Sequence, residues 1–153
     1  MAEPHFLVIS DLHLGEDLGS SIRTTEALEE ALISFFDHHR AQGGPWCVVI
    51  NGDMLEMVGI VMLPEAAPVE PGELHPHDER YGLGGREQAA AIKMRAMTAH
   101  HAAVFRAMAR FVGAGHRIAV VIGNHDIELH WPEVQRAFVD GITDGWRVEH
   151  PGR

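Results

Sequence analysis

Cysteine, positive charge and long apolar runs are all scarce in this sequence. The single cysteine, Cys47, excludes an internal disulfide, and its apolar neighbours predict a buried, inert thiol. No apolar run is long enough to span a bilayer, and residues 1–5 have neither the basic region nor the apolar core of a signal peptide. These absences predict a cytoplasmic protein without a membrane span.

The scarcity of positive charge limits the classes of partner. Twelve Lys and Arg residues stand against 22 Asp and Glu residues, which gives a formal net charge of −10. Such a surface repels polyanions, so it disfavours binding to long nucleic acid. The only sizeable basic cluster lies in residues 86–112, and we interpret it as the solvated face of a helix. The minor alternative is that this face contacts a nucleic-acid strand and the protein is a nuclease. The cluster consists of Lys93, Arg95, Arg106 and Arg110.

The rest of the composition is ordinary for a globular protein. The 153 residues, of which 46% are hydrophobic, predict a single domain with a sizeable core. Residues 57–85 depart from this pattern because they carry four prolines and several glycines. A long segment of this kind inside a compact domain predicts a loop or lid insertion. His75-Pro76-His77-Asp78 within it has metal-binding residue types, but we interpret it as a solvated loop.

Apolar runs and helical periodicity predict alternating strands and helices. Residues 5–9 form a continuous apolar run, which predicts a strand buried on both faces. Further strands are predicted at 46–50 and 117–122, with helices at 24–40 and 86–112. The methionines of the second helix are expected in the core, while His38, His39, His100 and His101 are expected to face water. Pro132 predicts a short helix ending near Gly141, and residues 146–149 predict the start of another strand. This order predicts an α/β fold, with mainly parallel central strands flanked by helices.

Polar side chains follow each of the three predicted strands. Asp11 and His13 follow the first, Asp53 follows the second, and Asn124, His125 and Asp126 follow the third. The carboxyl ends of parallel strands meet at one sheet edge, so these side chains are expected to converge. Carboxylate, imidazole and amide donors together suit Zn, Mn or Fe. Taken singly, each has another interpretation: Asp11 and Asp53 as turn formers, His13 as a surface residue and Asn124 as a helix cap.

Three motifs in this order resemble those of the calcineurin-like metallophosphoesterases. They are Asp11-Leu12-His13, Gly52-Asp53 and Gly123-Asn124-His125-Asp126, and the resemblance covers residues 5 to about 130. It implies an α+β sandwich that holds two divalent metal ions (Mn, Fe or Zn) and hydrolyses phosphate esters.

The resemblance also implies a role for each motif residue. Asp11 and His13 would bind the first metal, Asp53 would bridge both, and Asn124 would bind the second. His125 would stabilise the transition state or protonate the leaving oxygen, and Asp126 would orient the ring of His125. Glu56 stands where the family often has a second aspartate.

The family completes its metal sites with one histidine on a later strand and a Gly-His-x-His pair further on. These late ligands have no clear counterpart in this sequence. His150 is the one late candidate, although Pro151 follows it where family ligands usually precede glycine. Three explanations stay open: a C-terminal truncation that leaves the second sheet incomplete and apolar sheet surface exposed, assembly with a partner or a second copy, or a reduced domain that binds only one metal.

The function predicted from these residues is a metal-dependent phosphoesterase. Its substrate would be a small phosphomonoester or phosphodiester. The alternative is a catalytically incomplete module, derived from such an enzyme, that binds a metal or a partner.

Overall fold

Three parallel strands form one open sheet. The computed structural model describes residues 5–19, 25–63, 69 and 73–152. The strands are β1 (His5–Ile9), β2 (Trp46–Asn51) and β3 (Arg117–Val121), and they lie side by side in that order. Leu7 pairs with Val48, and Val48 pairs with Ile118. The predicted α/β class with parallel strands flanked by helices is confirmed, whereas the metallophosphoesterase sandwich stays a prediction.

Helices connect the strands. After β1 come α1 (Glu16–Gly19) and α2 (Glu26–Ala41), and after β2 come α3 (Pro76–Tyr81), α4 (Glu87–His100) and α5 (Ala102–Gly113). A 3₁₀-helix (Ile127–His130) and α6 (Pro132–Glu149) follow β3. Pro132 lies in the first turn of α6, where its missing N–H costs no hydrogen bond. Of the helices in the described ranges, none combines the length and apolarity needed to cross a membrane.

The helices cover one face of the sheet. Because the strand order follows the chain order, both crossovers step across the sheet in the same direction, and right-handed crossovers then put their helices on the same face. On the covered face, Val48 and Ile50 are fully buried against a core that includes Phe36, Phe105 and Phe111.

The other face of the sheet is largely bare. Phe6 and Val8 of β1 are 65% and 67% exposed, and Val121 of β3 is 47% exposed. The prediction that β1 is buried on both faces is therefore wrong. The expected exposure of apolar sheet surface is confirmed for the residues that the structure describes.

The predicted helix over 86–112 is broken into α4 and α5 at His101. His101 leaves the helical conformation, with φ −94° and ψ 31°, and its side chain is fully buried. Its Nδ1 lies 2.6 Å from the Glu29 carboxylate of α2. The prediction that His101 faces water is wrong, because that carboxylate supplies a buried polar partner. The methionines behave as predicted, since Met94, Met97 and Met108 are fully buried.

The strand predicted from residue 146 is the last turn of α6, which continues past Gly141. A Cβ at Gly141 would overlap Thr98 of α4, and one at Gly145 would press on the backbone of Arg106 in α5. These glycines let α6 approach both helices closely. The prediction took Gly141 as a stop signal, although here it serves helix packing.

Some described residues of segment 57–85 pack into the core, while others, such as Val61 and Tyr81, are exposed. Met57, Ile60 and Met62 are buried, and Met62 forms an antiparallel bridge with Leu83. His75 caps α3 by accepting the His77 N–H, and Asp78 is buried beside Arg86 at 2.5 Å. The solvated-loop interpretation therefore fails at Asp78, and the lid role stays a prediction.

Candidate metal centre

The loops that follow the three strands are hydrogen-bonded to one another. The N–H groups of Leu12 and His13 donate to the carbonyl oxygen of Asp53, at 2.9 and 3.0 Å. The N–H of Met57 donates to the carbonyl oxygen of His125 at 3.0 Å, which ties the second loop to the third. The predicted convergence at the carboxyl edge of the sheet is thus a property of the backbone as well as of the side chains.

Three of the predicted site residues form one compact donor group. His13, Asp53 and His125 each offer a ligand atom, and these atoms all lie within 4.8 Å of one another. The two imidazole rings meet edge to face, with their centroids 4.6 Å apart. Asp53 Oδ1 accepts the backbone N–H of His125 at 2.9 Å, which fixes the carboxylate beside the third loop. We call these residues the strand-end cluster.

Glu56 lies behind both histidines of the strand-end cluster. Its Oε2 is 2.6 Å from Nδ1 of His125 and 3.3 Å from Nδ1 of His13, and the residue is only 6% exposed. A carboxylate only accepts hydrogen bonds, so Nδ1 of His125 is the donor in this contact. Metal-binding histidines commonly have a carboxylate in this position. The sequence showed an acidic residue three positions after Asp53, but nothing in it indicated this contact.

Asp126 has a different partner from the one expected. Its carboxylate is fully buried and accepts backbone N–H groups from Met54 at 2.8 Å and Gly123 at 2.6 Å. The expectation that Asp126 orients the His125 ring is wrong, because Glu56 makes that contact. Asp126 instead joins the loop after β2 to the loop after β3, which holds Asp53 and His125 in register.

Asp11 and Asn124 lie at the same edge but outside the group of three donors. Both are exposed, and Asp11 accepts a hydrogen bond from the Ser10 hydroxyl at 2.6 Å. Both stand in the loops that carry the strand-end cluster, Asp11 two residues before His13 and Asn124 directly before His125.

His150 is placed away from the strand-end cluster. It follows the end of α6, stacks on Trp146 with ring centroids 3.7 Å apart, and lines a cleft with Arg40 and Gly113. Arg40 and Gly113 precede β2 and β3, so the cleft lies toward the amino ends of the strands. The structure therefore does not bring His150 to the strand-end cluster.

The backbone is strained at three of the predicted ligands. Asp11, His13 and Asp53 have φ values of 56°, 47° and 52°, and they are the only non-glycine residues with positive φ in the described ranges. Each such conformation costs about 1–3 kcal/mol and persists where the surrounding structure enforces it. Strained residues of this kind concentrate at functional sites, which supports a ligand role for these side chains.

Glycine is required where the second and third loops touch. A Cβ on Gly123 would overlap both the Oδ1 and the backbone nitrogen of Asp53. The absence of a side chain at Gly123 therefore allows Asp53 to sit against the third loop. This gives a steric reason for a glycine directly before Asn124.

A buried ion pair contacts the loop that carries Glu56. Lys93 of α4 is 2% exposed, donates to the carbonyl oxygen of Met57 at 2.7 Å, and lies 3.7 Å from Glu128. Burial lowers the pKa of Lys93, and the carboxylates of Glu128 and Glu56 offset part of that effect. The interpretation of Lys93 as part of a solvated basic face is wrong, because this ammonium group braces the loop that carries Glu56.

The strand-end cluster fits a divalent first-row metal. Imidazole and carboxylate are donors that Zn, Mn and Fe accept, and a carboxylate behind the rings supplies the usual second contact. Searches against protein-family models, curated proteins and solved structures found no match to this chain.

Proposed function

We propose that this protein is a metal-dependent phosphoesterase that hydrolyses a phosphomonoester or phosphodiester. The observation that carries the proposal is the convergence of His13, Asp53 and His125 at one sheet edge, with strained backbone at two of the three. The motif order and its resemblance to calcineurin-like metallophosphoesterases supply the reaction class.

The site residues would have separate roles in binding the metal and in transferring a proton. His13 and Asp53 would hold the metal, and Asp11 and Asn124 would complete its coordination sphere or that of a second metal. When bound, the metal would polarise a phosphoryl oxygen and lower the pKa of a coordinated water. Glu56 occupies Nδ1 of His125, so Nε2 is the atom that would give its proton to the leaving oxygen, with the ring passing from imidazolium to neutral imidazole. The side chain of His125 is 40% exposed and can therefore reach a substrate.

Hydrolysis of aryl phosphate mono- and diesters, with Mn²⁺, Fe²⁺ or Zn²⁺ added in turn, tests the proposal. Asp53→Asn is expected to lose bound metal and to reduce hydrolysis to background. His125→Ala is expected to keep the metal and to lower the rate by about 10²–10⁴-fold. His38→Ala, an exposed change on α2, is the matched control and should leave both unchanged. No hydrolysis by the metal-loaded wild type would refute the proposal. Loss of metal in His125→Ala would make that imidazole a ligand instead.

The spacing of the donors favours one alternative, a metal-binding module without turnover. If His125 is a ligand, His13, Asp53 and His125, whose ligand atoms lie within 4.8 Å of one another, suffice for one ion. This alternative predicts about one metal per chain together with no hydrolysis, so metal content and activity measured on the same sample separate the two.

A further inference from the structure

A second group of potential ligands lies where α4 breaks into α5. Asp17 of α1, His100 at the end of α4 and His101 at the break each offer a ligand atom, and these atoms all lie within 4.8 Å of one another. We call these residues the helix-break cluster. It shares no residue with the strand-end cluster.

Two buried acceptor atoms face each other in the helix-break cluster. Nδ1 of His101 lies 2.6 Å from the Glu29 carboxylate, which only accepts, so Nδ1 carries a proton and the neutral ring has its lone pair on Nε2. Nε2 is 3.8 Å from Oδ1 of Asp17. Both atoms are buried, and neither has a hydrogen-bond partner among the described residues. Two unpaired acceptors in contact with each other are costly unless a cation lies between them.

The separation of these atoms suits a metal ion. A distance of 3.8 Å is too long for a direct hydrogen bond. Donors in a tetrahedral site with bonds of roughly 2.1 Å are about 3.4 Å apart, which is close to this spacing. Nε2 of His100 is hydrogen-bonded to Oδ2 of Asp17 at 2.8 Å, a contact that a metal ion would replace. All three side chains thus bring a ligand atom to the same small region.

The surroundings prepare the donors for a cation. Glu29 orients the His101 ring from behind, as carboxylates do for metal-binding histidines, and Thr25 donates to Oδ2 of Asp17 at 3.0 Å.

We propose that Asp17, His100 and His101 form a second divalent-metal site, of the kind that takes Zn²⁺, at the break between α4 and α5. Two imidazoles and one carboxylate leave room for a water as the fourth ligand.

Zinc titration of metal-free protein tests this site separately from the strand-end cluster. The proteins to compare are wild type, Asp17→Asn, His13→Ala and the double variant. Asp17→Asn is expected to remove one Zn²⁺ per chain both from wild type and from His13→Ala. His100→Ala changes a partly exposed side chain without disturbing the core, and is expected to weaken this Zn²⁺ by at least about tenfold. His38→Ala is the control and should bind as wild type does.

Cobalt absorption gives a second readout that does not depend on activity. Co²⁺ in the His13→Ala protein should give visible bands of a four-coordinate site, and Asp17→Asn should abolish them. Unchanged zinc content in both Asp17→Asn and His100→Ala would overturn the proposal. In that event a proton on Nε2 of His101 would bridge Glu29 and Asp17 in place of a metal.

Discussion

The two faces of the β-sheet differ sharply, although the same three strands build both. On the covered face Val48 is fully buried, while on the bare face Val8 is 67% exposed. The strands are apolar on both faces, so composition does not set the difference. Chain order sets it, because two crossovers in the same direction bring every connecting helix to one face. Buried apolar area, and therefore stability, is concentrated on that face.

A matched pair of valine substitutions gives the largest expected contrast. Val48→Ala removes two buried carbons and should lower the free energy of unfolding by about 2–3 kcal/mol. Val8→Ala makes the same chemical change on the bare face and should cost less than about 0.5 kcal/mol. Urea denaturation with both variants measures the difference. Equal losses would mean that the bare face is covered in the folded protein in solution.

Ion pairs in the helical layer should contribute less than its apolar contacts. Arg110 of α5 donates to both carboxylate oxygens of Asp37 in α2, at 3.1 and 2.8 Å, and also to Glu149 of α6. The hydrogen bonds from Arg110 lower the pKa of Asp37 below its ordinary 3.8. Stability from this pair is therefore present above pH 3.8 and is lost as the pH falls through the lower folded-state pKa.

Asp37→Asn should accordingly cost about 1 kcal/mol or less at neutral pH, because the pair is partly exposed to solvent. Denaturation of wild type and Asp37→Asn between pH 7 and pH 2 would show this. The difference between the two proteins in free energy of unfolding should become smaller as the pH falls toward 2. A gap that persisted at the acidic end would mean that packing, rather than charge, carries the interaction.

The smallest expected effect on stability is that of a charge placed on the bare face. Val8→Lys should change the free energy of unfolding by only about 0.5 kcal/mol and should reduce self-association at high protein concentration. Val139→Lys adds the same charge at a similarly exposed site on α6 and is the control. Light scattering across a concentration series compares them. Equal scattering from both variants would show that net charge, rather than this face, controls association.

Much of the fold follows from local patterns. Continuous apolar runs located the strands, and the methionine spacing located the core side of the helices. The patterns failed where a distant residue decides the outcome. The exposure of Phe6 depends on the direction of both crossovers, and the break at His101 depends on Glu29, 72 positions earlier. No window of sequence around either residue contains that information.

The candidate site, like the fold, was predictable from the sequence only in part. Asp11, His13, Asp53 and His125 stand at strand ends, where parallel topology makes convergence predictable. The separate tasks of Glu56 and Asp126 were not predictable, since both are carboxylates near a histidine. Only the structure separates them, because Glu56 contacts imidazole nitrogen whereas Asp126 accepts backbone N–H groups.

The left-handed backbone at Asp11, His13 and Asp53 has an evolutionary consequence. Glycine adopts this conformation without steric cost, so replacing any of the three would remove strain from the folded chain. Mutational drift constrained only by foldability would therefore be expected to substitute them readily. Selection for stability and selection for the proposed metal site would therefore be opposed at these positions, since a glycine would relieve the strain and remove the donor.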